Sequence, residues 1–128
     1  NNKIVPMYKS NIKNITSGPF KNTMVVSMRI FKKSQVSEVI HICQSFHWAH
    51  GKPIHIGDPK QIGINDINNP NWGDKPRTLL EDEVYIFWAC GVTPQNAILT
   101  SDIAFCVSHT PGHMLITDIK EDAETPVL

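Results

Sequence analysis

Nothing in these 128 residues approaches the roughly 18 consecutive apolar positions of a membrane-spanning helix. The longest apolar run, Val84 to Cys90, has seven. No stretch resembles a signal peptide, so a soluble protein is expected. Net charge is missing as well, since 12 basic and 12 acidic side chains cancel. Without a broad positive field, neither nucleic acid nor an anionic membrane is an expected partner. Cysteine is scarce: Cys43, Cys90 and Cys106 are an odd number, sit in apolar segments and form no CxxC pair. That pattern excludes a disulfide framework and a standard zinc site, and points to a reducing compartment, cytoplasmic or, as the alternative, the mitochondrial matrix. Neither a glycine-rich dinucleotide fingerprint nor a P-loop occurs, so no tightly bound organic cofactor is expected. Internal repeats and low-complexity tracts are lacking too.

What is present suits one domain over residues 1–128, long enough to bury about two-thirds of its unfolded surface. Residues 1–23 are rich in Asn, Lys, Pro and Gly without a sustained period, and read as an extended arm. Met24 to Phe31 alternates as a strand, with Met24, Val26, Met28 and Ile30 on one face and Val25, Ser27, Arg29 and Phe31 on the other. Ser34 is positioned to cap a helix whose stripe is Val36, Val39, Ile40, Cys43 and Phe46. A short strand follows at Pro53 to Ile56, ending in Gly57-Asp58-Pro59, where Asp58 caps a helix that Pro59 begins. Residues 64–82 are polar and irregular around Trp72, a length typical of a lid or binding loop.

The seven-residue run at 84–90 reads as a strand buried on both faces. It breaks at Cys90-Gly91 and leads into Thr93-Pro94, a cap and first position for a helix of about two turns. Another strand is expected at Ala104 to Ser108, a type II turn at Thr110 to His113, and a strand at Met114 to Asp118. Residues 119–128 read as a loose tail. The expected class is α/β, or mixed α+β, with a mixed, partly parallel sheet flanked by helices and a C-terminal β-hairpin. In such a sheet ligands gather beyond the carboxyl ends of strands, which would bring Gly57-Asp58, Gly91 to Thr93 and Ser108-His109 to one edge.

Those ends suggest a small anionic ligand. Free amides from Gly91 to Gln95, with the Thr93 hydroxyl and the Gln95 amide, form a candidate carboxylate or oxyanion grip. Arg29, in an otherwise apolar strand, is a candidate clamp because a guanidinium donates a planar pair of N–H bonds and stays charged; the alternatives are a structural salt bridge and an exposed edge position. His55, His109 and His113 are candidate proton carriers, and Asp58 a candidate base. His109 and His113, with Cys90, Asp58 or His50, also admit a metal-site reading, but no standard ligand spacing is present and none is assigned. Cys90 beside a helix start is either nucleophilic or a buried thiol. A carboxylate-binding enzyme and a non-catalytic carboxylate-binding domain both fit, and a homo-oligomer is left open.

PMYKSNI at 6–12, GPFKNTMVVSMR at 18–29, HGKPIHIGDP at 50–59, FWACGVTPQ at 87–95 and SHTPGHMLITD at 108–118 resemble, in order, the family of hydro-lyases that includes D-glutamate cyclase. Ser10 stands where threonine is usual and Trp72 where phenylalanine is usual. The resemblance covers the C-terminal half of a typical member, in keeping with a chain that begins Asn1-Asn2-Lys3 and reads as the later part of a longer polypeptide. It implies a carbon–oxygen lyase that closes D-glutamate to 5-oxo-D-proline with loss of water, the alternative being a hydro-lyase on another small acid. Arg29, Gly91, Thr93 and Gln95 would then hold substrate, and His55, Asp58, His109 and His113 would move protons.

Overall fold

A computed structural model describes residues 3–113 together with Ile116, Asp118 and Lys120. Four strands make one sheet: β1 (Met7–Lys13), β2 (Thr23–Lys32), β3 (His55–Ile56) and β4 (Glu83–Ala89), in the order β1-β2-β4-β3. Two helices, α1 (Val36–Cys43) and α2 (Thr93–Leu99), complete the regular elements together with 3₁₀ turns at Lys33–Gln35 and Pro59–Ile62. None of the helices among the described residues is long and apolar enough to cross a membrane.

The mixed α/β content agrees with the sequence, but every strand pair is antiparallel, which corrects the partly parallel sheet. The connection through α1 does return β3 in the same direction as β2. β4 then inserts between them, pairing with both, so no parallel pair bonds. The apolar run of β4 reflects this central place: Ile86 and Phe87 are fully buried and Trp88 nearly so. Two-sided burial was legible in that run; strand direction was not.

Three further corrections follow from pairing. Residues 7–13 belong to β1 rather than to an irregular arm, and Met7, Tyr8 and Lys9 pair with Ser27, Val26 and Val25. Ala104 to Ser108 is not a strand, and Phe105 and Val107 lie exposed, because their alternation meets no free sheet edge. The expected C-terminal hairpin therefore loses its first strand, while most of Met114 to Asp118 and of the tail at 119–128 lies outside the described residues. The turn before them is as expected, with His113 N–H bonded to Thr110 O at 3.0 Å and Gly112 at φ 83°.

The segment expected to be a lid is bolted to the sheet edge instead. Met7 N–H bonds to Trp72 O at 2.9 Å, Asp74 N–H to Ile4 O at 3.0 Å, and the Tyr8 hydroxyl to Ile67 O at 2.7 Å. One face of the sheet carries the main core, built from Tyr8, Val26, Met28 and Phe87 with Ile62 and Ile64. The other carries Val25, packed with Met7 and Val92, then Ser27, Arg29 and Phe31.

The loop end is fixed by charge. Arg77 donates Nη1 to Glu83 Oε2 at 2.6 Å and Nη2 to Oε1 at 2.5 Å, and Leu80 N–H adds a bond to Oε2 at 3.0 Å. Those bonds, the guanidinium's first, hold the Glu83 carboxyl down to about 2 from its ordinary 4.5. A depressed carboxyl stabilises the fold fully above its unfolded value and loses that contribution as pH falls through the folded one. Resistance to urea should therefore fall between about pH 4.5 and 2, and a Glu83→Gln chain should show a flatter profile across that window. Parallel profiles for the two chains would contradict this assignment.

Candidate active site

Alternation along β2 aims Ser27 and Arg29 away from the main core, across from Trp88 and Ile86. Beyond them lies a cavity of roughly 650 Å³, walled by Arg29, His50, Cys90, Gly91, His109 and His113, and closed on one side by Ile4 and Met7. Arg29 forms no ion pair among the described residues, so the structural salt bridge considered for it is not seen; it is exposed, as the other alternative had it, although β2 is an inner strand. Its guanidinium also has no hydrogen-bond partner among the described residues, which suits it to receive a ligand.

Two of the histidines are oriented by carbonyl oxygens. His50 Nδ1 lies 2.6 Å from Ala89 O, and His109 Nδ1 lies 3.0 Å from Thr110 O. A carbonyl only accepts, so Nδ1 carries the hydrogen in each, and Nε2 has no hydrogen-bond partner among the described residues. Gln95 donates to the His109 carbonyl at 2.5 Å and so holds the backbone of that residue. Gly91 brings the chain close to the ring: a Cβ there would sit 3.9 Å from His109 Nε2.

The other expected residues have different employment. The Thr93 hydroxyl accepts from Val25 N–H at 3.0 Å and donates to Val25 O at 3.2 Å, tying α2 to β2. Val92, not Thr93, precedes α2, and Thr93 N–H is bonded to Cys90 O at 3.0 Å. The predicted cluster of free amides is thus partly consumed, in a helix of only seven residues. Ser34 likewise does not cap α1; its approach is held by Lys32 N–H donating to Gln35 Oε1 at 3.2 Å. Burial pushes the Cys90 thiol up, opposed more weakly by the Val92 amide, which favours the buried-thiol reading over a thiolate nucleophile.

His55 and Asp58 lie on the opposite side of the sheet from Arg29. His55 pairs with Phe87, its ring 5.6 Å from that ring, and its Nε2 donates to Asp58 O at 2.9 Å. Asp58 caps the Pro59–Ile62 turn as expected, accepting from Lys60 N–H at 3.0 Å. Register explains the separation: Ile56 shares the row of Arg29 and Ile86, which puts His55 on the other face with Phe87, and the antiparallel order sends the carboxyl end of β4, with Gly91, away from the end of β3 that leads to Asp58. The structure thus gathers Arg29, Gly91, His109 and His113, with Gln95 behind them, and leaves His55, Asp58 and Thr93 apart. It adds His50, which the sequence named only as a spare metal ligand. The signal for it was the turn His47-Trp48-Ala49-His50-Gly51, where Gly51 adopts φ 63° and sets the ring over the end of β4. No three His, Cys, Asp or Glu side chains among the described residues converge in the manner of a metal site.

A family model described as D-glutamate cyclase matches residues 1–118. Proteins named "Putative hydro-lyase" are similar throughout: one of Dinoroseobacter shibae is 51% identical over the whole chain and 42% of its own length. One of Ruegeria pomeroyi is 52% identical over the whole chain and 46% of its own length, and one of Acinetobacter baylyi 50% identical over 93% of the chain and 44% of its own. The chain therefore spans a little under half the length of these curated relatives.

Proposed function

The chain belongs to the D-glutamate cyclase family, and from that premise we propose that the Arg29 cavity binds the carboxylate of a small amino acid and contributes to hydro-lyase chemistry, the ring closure of D-glutamate to 5-oxo-D-proline. The observation that carries the reading is an exposed guanidinium, without an ion pair among the described residues, sharing one cavity with two histidines whose Nδ1 atoms are held by carbonyls. Arg29 grips the α-carboxylate through two parallel N–H bonds. His109 Nε2 takes one proton from the substrate ammonium, and the freed amine attacks the side-chain carboxyl carbon. As the nitrogen–carbon bond forms, one carboxyl oxygen must leave. Of the three ammonium hydrogens, one stays on the new amide nitrogen and two depart with that oxygen as water. His109 returns its proton to the oxygen, and His50 relays the second from nitrogen, so both rings end neutral. Holding the substrate folded supplies much of the acceleration, since effective molarities of ~10⁵ M are reached in well-oriented closures.

Proton NMR of D-glutamate and L-glutamate, each incubated with this chain and with a chain extended to the length of its relatives, tests the reading. Conversion of the D-isomer alone to 5-oxoproline is expected; no conversion by either chain would overturn it. Replacing His109 by Asn should lower turnover by roughly 10²-fold to 10⁴-fold, the usual worth of a placed acid–base group. Substrate binding should persist, because Arg29 is intact. Equal loss of binding and turnover would remove the proton-transfer role.

A further inference from the structure

Helix α1 carries an apolar stripe, yet none of its residues is fully buried. Val39, Ile42, Cys43 and Phe46 stand across from Phe31 and Trp88, leaving an apolar groove of roughly 420 Å³. Ile42 at the rim is 50% exposed, as is Trp48 in the turn that follows the helix. Such a face on a helix whose period predicts core packing is an unfilled interface. The relatives extend far beyond the stretch they share with this chain, which is 42–46% of each of their lengths.

We propose that the groove is the seat of the part of the full-length family chain that lies outside the matched 128 residues. The occupant presents an apolar face, since the only ionisable groups in the lining besides the Cys43 thiol are Arg29 and His50. These two and Ser27 also line the active-site cavity, so whatever fills the groove closes that cavity from the side of α1. This last consequence rests on the function proposed above; the packing does not.

Cys43 reports the groove directly, because its thiol is free and half-buried in the wall. The 128 residues are grafted in place of the matched stretch of the Dinoroseobacter shibae relative, with which they align end to end. Alkylation of Cys43 by iodoacetamide, read residue by residue by mass spectrometry, should be slower by about tenfold or more in the chimera than in the 128-residue chain. Equal rates would overturn the proposal. If the chimera does not unfold cooperatively, hydrogen exchange on the intact relative makes the same comparison. Its helix aligned with Val36–Cys43 should be protected like core, against fast exchange of α1 in the shorter chain, and equal exchange would overturn the proposal. Protection of Cys43 that grows with concentration of the 128-residue chain alone would give the groove to a second copy and overturn it as well. No arm reads turnover, so a failed catalytic reading leaves the result intact.

Discussion

Replacing Arg29 with Gln should lower turnover of the amino-acid substrate by roughly 10²-fold to 10³-fold, two charge-assisted hydrogen bonds of about 1.5–3 kcal/mol each being lost, with partial overlap. The thermal midpoint should hardly move. Arg29 is exposed, makes no ion pair among the described residues, and its neighbours along β2 are held by backbone pairing to β4. Lysine at 29 should restore only part of the loss, because an ammonium is a point charge without the planar fork. Steady-state kinetics beside thermal unfolding checks the contrast. A variant with unchanged turnover, or one whose lost activity follows lost stability, would show that Arg29 does not hold substrate.

The largest effect on stability should come from Gly73→Ala. A Cβ at Gly73 would lie 2.2 Å from Val5 O and 2.8 Å from Val5 C, both backbone atoms that cannot turn aside, and φ there is 80°. The positive φ alone costs about 1–2 kcal/mol for alanine. The clash must then be relieved by parting the two chains, which breaks bonds such as Ile4 N–H to Asp74 Oδ2 at 2.7 Å and Asp74 N–H to Ile4 O. A total of about 3–4 kcal/mol is expected. Gly51→Ala is the control: φ is 63°, but no atom lies within 4 Å of the added carbon, so about 1 kcal/mol should suffice. Urea denaturation of the two variants measures the difference. Equal costs would mean that the contact between the loop and the amino-terminal segment is not tight. Because Ile4, Val5 and Met7 wall the active-site cavity, Gly73→Ala should also weaken substrate binding.

Much of this was legible in the sequence where a local rule decides the outcome. The alternation of β2 placed Arg29 opposite Met28 and Ile30, and the Asp58-Pro59 and Pro111-Gly112 signals fixed their turns, because capping and φ preferences act within a few residues. Pairing partners were not legible. β1 has a weak pattern and forms because β2 offers it an edge, whereas Ala104 to Ser108 alternates well and finds none. The direction of β4 had the greatest consequence for the site. Once it runs antiparallel between β2 and β3, its carboxyl end no longer shares an edge with theirs and Asp58 parts from Gly91, while the register of β3 puts His55 on the face away from Arg29. His109 nevertheless reaches Gly91, since the chain after α2 folds back across the end of β4. His50 was hidden for the same reason: its role depends on the Ala89 carbonyl 39 residues away.

The central claim, that a small carboxylate binds in the cavity between Arg29 and His109, is tested most directly by titrating D-glutamate into isotope-labelled chain and following its NMR signals. The Arg29 side chain, the Gly91 amide and the His109 ring should shift together with one saturation curve, while His55 and Asp58 stay fixed on the far side of the sheet. Shifts confined to His55 and Asp58, or saturable binding that leaves Arg29 and His109 unmoved, would contradict it.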